Sequence, residues 1–196
     1  MDLAQRITRQ FEDSARNCQN SADVLLEPIS RGIGLMFEAL SNDHKILACG
    51  NGGSAADSQH FSAELIGRFE RERLPLAAIA LSTDTSIMTA IANDYSFEQI
   101  FAKQVEGLGR AGDVLFAIST SGNSKNVIAA IEAACARDMH VVALTGKGGG
   151  AIGELLRDGD VHICVPHDRT ARIQEVHLLV LHCLCDGIDW HLLGDD

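Results

Sequence analysis

No apolar run in this 196-residue chain approaches the ~18–20 consecutive residues that a bilayer-spanning helix needs. The opening residues, Met1 to Arg6, lack the apolar core of a secretory signal, so the expected location is the cytoplasm. C-x-x-C spacing is also missing. Cys18, Cys49, Cys135, Cys164, Cys183 and Cys185 stand mostly in apolar surroundings and read as buried free thiols. Cys183 and Cys185 are two apart on a predicted helix and cannot share one face. Basic residues are few: 16 Lys and Arg against 27 Asp and Glu give a net charge of −11. That balance argues against a nucleic acid as direct partner, because phosphate backbones demand a basic surface. It leaves room for a small phosphorylated ligand, which needs only local donors. A P-loop is absent, since Thr145-Gly146-Lys147-Gly148-Gly149-Gly150 lacks the required spacing. No repeat, low-complexity tract or linker divides the chain, so one domain is expected over residues 1–196.

What the chain does contain is one sizeable core's worth of apolar residues, at 46% hydrophobic and 22% charged. Residues 2 to about 27 read as a helix, with Leu3, Ile7, Phe11 and Ala15 spaced four apart. Pro28 is expected to reset the chain, and a second helix follows over 29–41. This leading pair (1–42) is more than a simple βα domain needs, so it is expected to pack on a partner subunit as well as on the core. Short apolar strands then alternate with helices. Strands are expected at 45–49, 77–82, 113–118, 140–145 and 161–165. Helices are expected at 54–67, near 84–92, at 97–108, at 124–137, near 151–157 and over 169–192. This alternation predicts an α/β three-layer sandwich with a five-stranded parallel sheet, residues 43–196 forming its core. Ligands of such sheets bind beyond the carboxyl ends of the strands, at the switch point in strand order.

Four stretches offer chemistry. Ile46 to Asp57 reads as strand, glycine-rich turn and helix start, with Gly50, Gly52 and Gly53 in the turn and Ser54 as the expected helix N-cap. Its free amides could hold an anion or a sugar's oxygens, although a tight turn without ligand is an equally ordinary reading. Ser119-Thr120-Ser121-Gly122-Asn123-Ser124 places hydroxyls at the end of a strand and the start of a helix, a neutral phosphate cradle. His60 and Glu64, four apart, share one helix face and suit Zn2+ or acid–base work, while an ordinary surface pair would look the same. The last helix carries Gln174, His177 and His182. Gln174 and His182 stand about 12 Å apart along a helix, near the limit for one shared ion, so spacing leaves both histidines open. A histidine in an apolar stripe is also a common core residue.

Together, Cys49 to Ser54, Gln59-His60-Phe61 with Glu64, Ala92-Asn93-Asp94, Ser119 to Ser124 and Arg172 to His177 resemble the phosphoheptose isomerases of the sugar isomerase (SIS) domain family. The resemblance spans essentially the whole chain. It implies a flavodoxin-like strand order and a homotetramer with active sites at subunit interfaces. It also implies interconversion of sedoheptulose 7-phosphate and D-glycero-D-manno-heptose 7-phosphate, the first step toward ADP-heptose and the lipopolysaccharide core. By this resemblance one Zn2+ per subunit would be held by His60, Glu64, Gln174 and His182. The phosphate would lie against Ser119, Thr120, Ser121 and Ser124. Asn51, Gly52, Gly53, Asn93 and Asp94 would contact the rest of the sugar, with His60, Glu64 and Gln174 also lining it. Glu64 would be the carbon base, and His182 the acid–base partner serving the oxygens. Ala171 stands where some members carry an aspartate, a role Asp168 could fill. A non-catalytic relative, a tetrameric regulator that binds the replication initiator protein, shares Ala171 and the tail Cys183 to Asp186. It has lost the glutamate at the position of Glu64 and has a disrupted serine loop, so the isomerase reading is preferred.

Overall fold

The computed structural model describes residues 2–195, so Met1 and Asp196, the ends of the expected domain, lie outside them. The elements in order are α1 Leu3–Ser41, β1 Ile46–Gly50, α2 Gly53–Ile66, β2 Ala78–Ala80, α3 Thr85–Asp94, α4 Ala102–Leu108, β3 Val114–Ser119, α5 Lys125–Ala136, β4 His140–Thr145, α6 Gly150–Leu155, β5 Val161–Cys164 and α7 Thr170–Leu193. The five strands form a parallel sheet in the order β2-β1-β3-β4-β5, the flavodoxin-like order expected.

Successive residues of each strand face opposite layers. Ile46, Ala48, Val114, Phe116, Ile118, Val142 and Leu144 pack beneath α1, α2 and α7. Leu47, Cys49, Leu115, Ala117, Val141 and Ala143 pack beneath the helices of the opposite face. Both faces are covered, which is why β1 and β3 are buried along their whole length and read as unbroken apolar runs. The switch point lies between β1 and β3. The connection leaving β1 becomes α2 on one face, and that leaving β3 becomes α5 on the other.

Three expectations need correction. The leading pair of helices is one helix of 39 residues, with Pro28 inside it. Proline removes a hydrogen bond from a helix interior, but α1 buries Leu25, Gly32, Met36 and Ala39 on either side of it, and that packing holds the helix together. The stripe Leu3, Ile7 and Phe11 is largely exposed (73%, 50% and 75%). Second, the N-cap of α2 is Gly52, at φ 56°, and Ser54 is buried within the first turn. Third, α7 is, by length and composition alone, long and apolar enough to cross a bilayer. Its buried residues, from Arg172 to Asp189, face the other layers of the fold, as in the core helix of an α/β sandwich. The cysteines are all free, with Cys49 and Cys185 buried and the other four partly exposed.

Candidate active site

The site is assembled from the turns that leave β1 and β3 and from the facing sides of α2 and α7. After β1, the chain turns at Asn51 and Gly52, and α2 begins without a side-chain cap. The Ser54 amide donates to the Asn51 carbonyl and those of Ala55 and Ala56 to the Gly52 carbonyl, which leaves the Gly53 amide at the head of the helix for a ligand. Asn51 does not project freely. Its amide exchanges two hydrogen bonds of 2.8 Å with the amide of Asn126 on α5. This reciprocal pair spans the switch point and ties the glycine turn to the helix beyond the serine loop.

That loop is held from within. Ser119 Oγ and Ser124 Oγ lie 2.9 Å apart, so the Ser124 hydroxyl serves its neighbour although Ser124 is the N-cap of α5. Ser121 Oγ accepts from the Asn123 amide at 3.1 Å. The Asn123 side chain donates to the Ser121 carbonyl at 2.9 Å and accepts from the Ala151 amide at 3.0 Å. Gly122 has φ 65° and lies so close to the Gly149 carbonyl that a Cβ would overlap it. The glycine run 148–150 is thus a buttress for the serine loop. The hydroxyls of this loop and the uncapped amides of α5 thus stand side by side at the end of β3.

His60 and Glu64 lie on the side of α2 that meets α7. His60 Nε2 is 2.9 Å from Glu64 Oε1. The ring of His182 stands edge-on to that of His60, with centroids 5.2 Å apart, and Phe69 flanks His182 at 5.5 Å. Gln174 sits higher, where α2 begins, and a Cβ on Gly53 would overlap its amide nitrogen. α2 and α7 therefore run in the same direction, Gly53 beside Gln174 and His60 beside His182. His177 points elsewhere: it is fully buried, and its Nε2 donates to the Thr145 carbonyl at 3.0 Å. Burial pushes its imidazole down to about 4, with the Thr145 hydrogen bond opposing.

Asn93 and Asp94 are exposed at the end of α3, bonded to each other at 2.8 Å. The turn just beyond them approaches α5 through the Glu98–Lys125 ion pair of 3.0 Å. Asp168 and Ala171 are both exposed, on either side of the α7 start.

Two residues were missed by reasoning from the sequence. Asn126 gave no local signal, because its partner is 75 positions away. Asp57 did: Gly53, Asp57, His60 and Glu64 make an i, i+4, i+7, i+11 stripe on α2. Burial pushes the Asp57 carboxyl up to about 6, with His60 opposing, and among the described residues its Oδ2 is buried with no hydrogen-bond partner.

The donor types here suit Zn2+: two imidazoles, a carboxylate and a nearby carboxamide. His60, Glu64 and His182 already converge. In this arrangement His60 Nε2 is spent on Glu64, and among the described residues no group of three or more His, Cys, Asp or Glu side chains has closed to metal-binding spacing. The residues thus fit the ion in kind and in neighbourhood.

Comparison with known proteins agrees with this arrangement. A family model described as "SIS domain" matches residues 10–146. A phosphoheptose isomerase of Dechloromonas aromatica is 69% identical over 194 residues, covering 99% of both chains. The structure of a phosphoheptose isomerase from Neisseria gonorrhoeae superposes with a TM-score of 0.92 at 57% identity, covering 96% of this chain and 99% of that one. One from Francisella tularensis gives a TM-score of 0.94 at 44% identity, with the same coverage.

Proposed function

The chain belongs to the phosphoheptose isomerases of the SIS-domain family and is a sugar-phosphate isomerase; from that premise we propose that it interconverts sedoheptulose 7-phosphate and D-glycero-D-manno-heptose 7-phosphate, in the cytoplasm, on the route to ADP-heptose and the lipopolysaccharide core. The observation that carries this reading is the convergence of His60, Glu64 and His182 on the α2–α7 face, two turns along α2 from the glycine turn that Asn51 ties to the helix beyond the serine loop.

The phosphate binds at Ser119, Thr120, Ser121 and Ser124, where hydroxyls and the N-terminal amides of α5 supply donors to a dianion. Asn51, Gly52 and Gly53 receive the sugar's oxygens, and Asn93 and Asp94 close the other side. The open chain runs from there toward His60, which lies seven residues along α2 from Gly53, about 10 Å at ~1.5 Å per residue. Gln174 lies along that path.

Conversion of ketose to aldose moves one proton between adjacent carbons and another between their oxygens, through an enediol. Glu64 takes the proton from one carbon and returns it to the next. Its Oε1 faces His60, which leaves Oε2 for the carbon. His182 exchanges protons with the two oxygens. When bound, a Zn2+ held by His60, Glu64, Gln174 and His182 supplies a Lewis acid that stabilises developing charge on the substrate oxygen. Retention of Glu64 and of the uninterrupted serine loop stands against a purely regulatory role. The exposed Leu3, Ile7 and Phe11 support a homotetramer, in which that stripe is covered.

Purified protein given sedoheptulose 7-phosphate, with and without added Zn2+, should form the aldose, measured by chromatography. Glu64→Gln should lower kcat by at least about 100-fold, the usual contribution of a positioned base, while leaving assembly unchanged. An inactive, assembled, metal-loaded wild type removes the proposed reaction, and wild-type rates in Glu64→Gln remove Glu64 as the base.

A further inference from the structure

The lower end of the site is closed by a residue that neither the reaction nor the family motifs invoke. Arg73, in the segment between α2 and β2, has a side chain only 3% exposed. Its Nη2 donates to the Glu64 carbonyl at 2.8 Å, and its Nη1 to those of Leu65 at 2.8 Å and Leu74 at 3.3 Å. Its Nε donates to Asp189 Oδ1 at 2.5 Å, and Asp189 is 4% exposed. Glu64 and Leu65 belong to the last turn of α2, whose carbonyls lack partners within the helix. A cation there also meets the negative end of the helix dipole.

A capping role alone needs only the carbonyls. Asp189 makes the arrangement a link between helices, because it lies on α7 seven residues beyond His182, on the same side. Cys185, between them, is fully buried. Burial pushes its thiol up, and the charges of Glu64 and Asp189 push it further while Arg73 opposes. The charges of the clamp and of Glu64 therefore act on one buried side chain. Stability gives a poor account of the pair. Asp189 Oδ2 is buried with no hydrogen-bond partner among the described residues, and an incompletely satisfied buried ion pair is often no better than apolar packing.

We propose that Arg73 and Asp189 are positioning residues for the isomerisation, a clamp that fixes the last turn of α2 against α7 and so sets Glu64 in register with His182. This rests on the assignment of Glu64 as the carbon base. The clamp touches no substrate atom. It acts at the lower end of the α2–α7 contact, as the Gln174–Gly53 contact does at the upper end. Small displacements of a base are costly: a misplacement of about 1 Å can lower a rate by about 100-fold.

The test is the charge-free double variant Arg73→Met/Asp189→Leu, compared with wild type, Glu64→Gln and Arg73→Lys. The double variant should still fold with a modestly lowered unfolding midpoint, because an apolar replacement of the ion pair is often neutral while the carbonyls of Glu64, Leu65 and Leu74 lose their donor, so kcat is read per folded protein. Its kcat on sedoheptulose 7-phosphate should fall at least about tenfold, with KM within about twofold because the phosphate cradle is untouched. Arg73→Lys should fail to restore kcat, since an ammonium cannot serve three carbonyls and a carboxylate in one plane. Wild-type kcat in the folded double variant overturns the clamp, as does full activity in Arg73→Lys or a loss of kcat that only tracks loss of folded protein. If the double variant does not fold, Asp189→Asn decides: lowered kcat at unchanged KM supports the clamp, and wild-type kcat overturns it. An inactive wild type or an active Glu64→Gln strikes the base assignment instead, so the two failures are distinguishable.

Discussion

His177 and His182 stand five residues apart on one helix and do opposite things. His177 is held neutral in the core, its imidazole pushed down to about 4 by burial. An unfolded chain would take up a proton near 6.5, so between those values the unfolded state binds more protons. The stability this neutral histidine contributes is complete above pH 6.5 and is lost as pH falls toward 4, on the order of 3 kcal/mol in all. Urea unfolding at pH 7, 5.5 and 4.5 should show that loss in wild type, and a shallower one in His177→Gln. Identical pH slopes would refute the assignment. This pair also marks how far the site was legible. The i, i+4 spacing of His60 and Glu64 was enough to put them together. Which histidine of α7 joins them depends on the face α7 turns to α2, and spacing along one helix carries no such information. Only the family resemblance pointed to His182. Arg73 and Asp189 were invisible for the same reason, their positions lying 116 residues apart.

At the scale of elements, the alternation of strands and helices was readable because the central strands β1 and β3 are covered on both faces, β4 is buried beyond His140, and the edge strands β2 and β5 still bury alternate residues. The strand expected at 140–145 matches to the residue, and the others to within one or two positions. The failure was α1. Pro28 reads as a break by a local rule, and that rule is overridden by the long apolar face that α1 lays on α7. The override implies a cost still present in the fold. Pro28→Ala should restore a helix hydrogen bond and remove a clash worth about 3 kcal/mol, less ~1 kcal/mol of added freedom in the unfolded chain. A net gain of about 2 kcal/mol in urea unfolding is expected, and no gain would mean that the helix has adapted fully to the proline. Ser54 misleads for a related reason. Serine is the better N-cap in general, but the turn needs φ 56° at Gly52, and a glycine already in that conformation starts the helix two residues earlier.

For the whole molecule, the first three turns of α1 carry Leu3, Ile7 and Phe11 into solvent, while the net charge of −11 would otherwise keep copies apart. Phe11→Glu should shift sedimentation from the proposed tetramer toward smaller species, and an assembly unchanged from wild type would show that the stripe is not part of it. Asn51, paired to Asn126, would anchor the top of the proposed substrate path, and the parallel course of α2 and α7 would lay out the rest. On the proposed reading, donors to the sugar's oxygens stand at the start of α2, phosphate donors at the start of α5, and the proton-transfer groups two turns along α2 from Gly53. On the proposed reading those two turns act as a ruler. A pentulose or hexulose phosphate anchored in the cradle would present its carbonyl short of Glu64, and a sugar phosphorylated beside its carbonyl would carry the anion to the wrong end. Selectivity for chain length and for the position of the phosphate would then follow from the pitch of a helix, without any group dedicated to rejecting the shorter sugars.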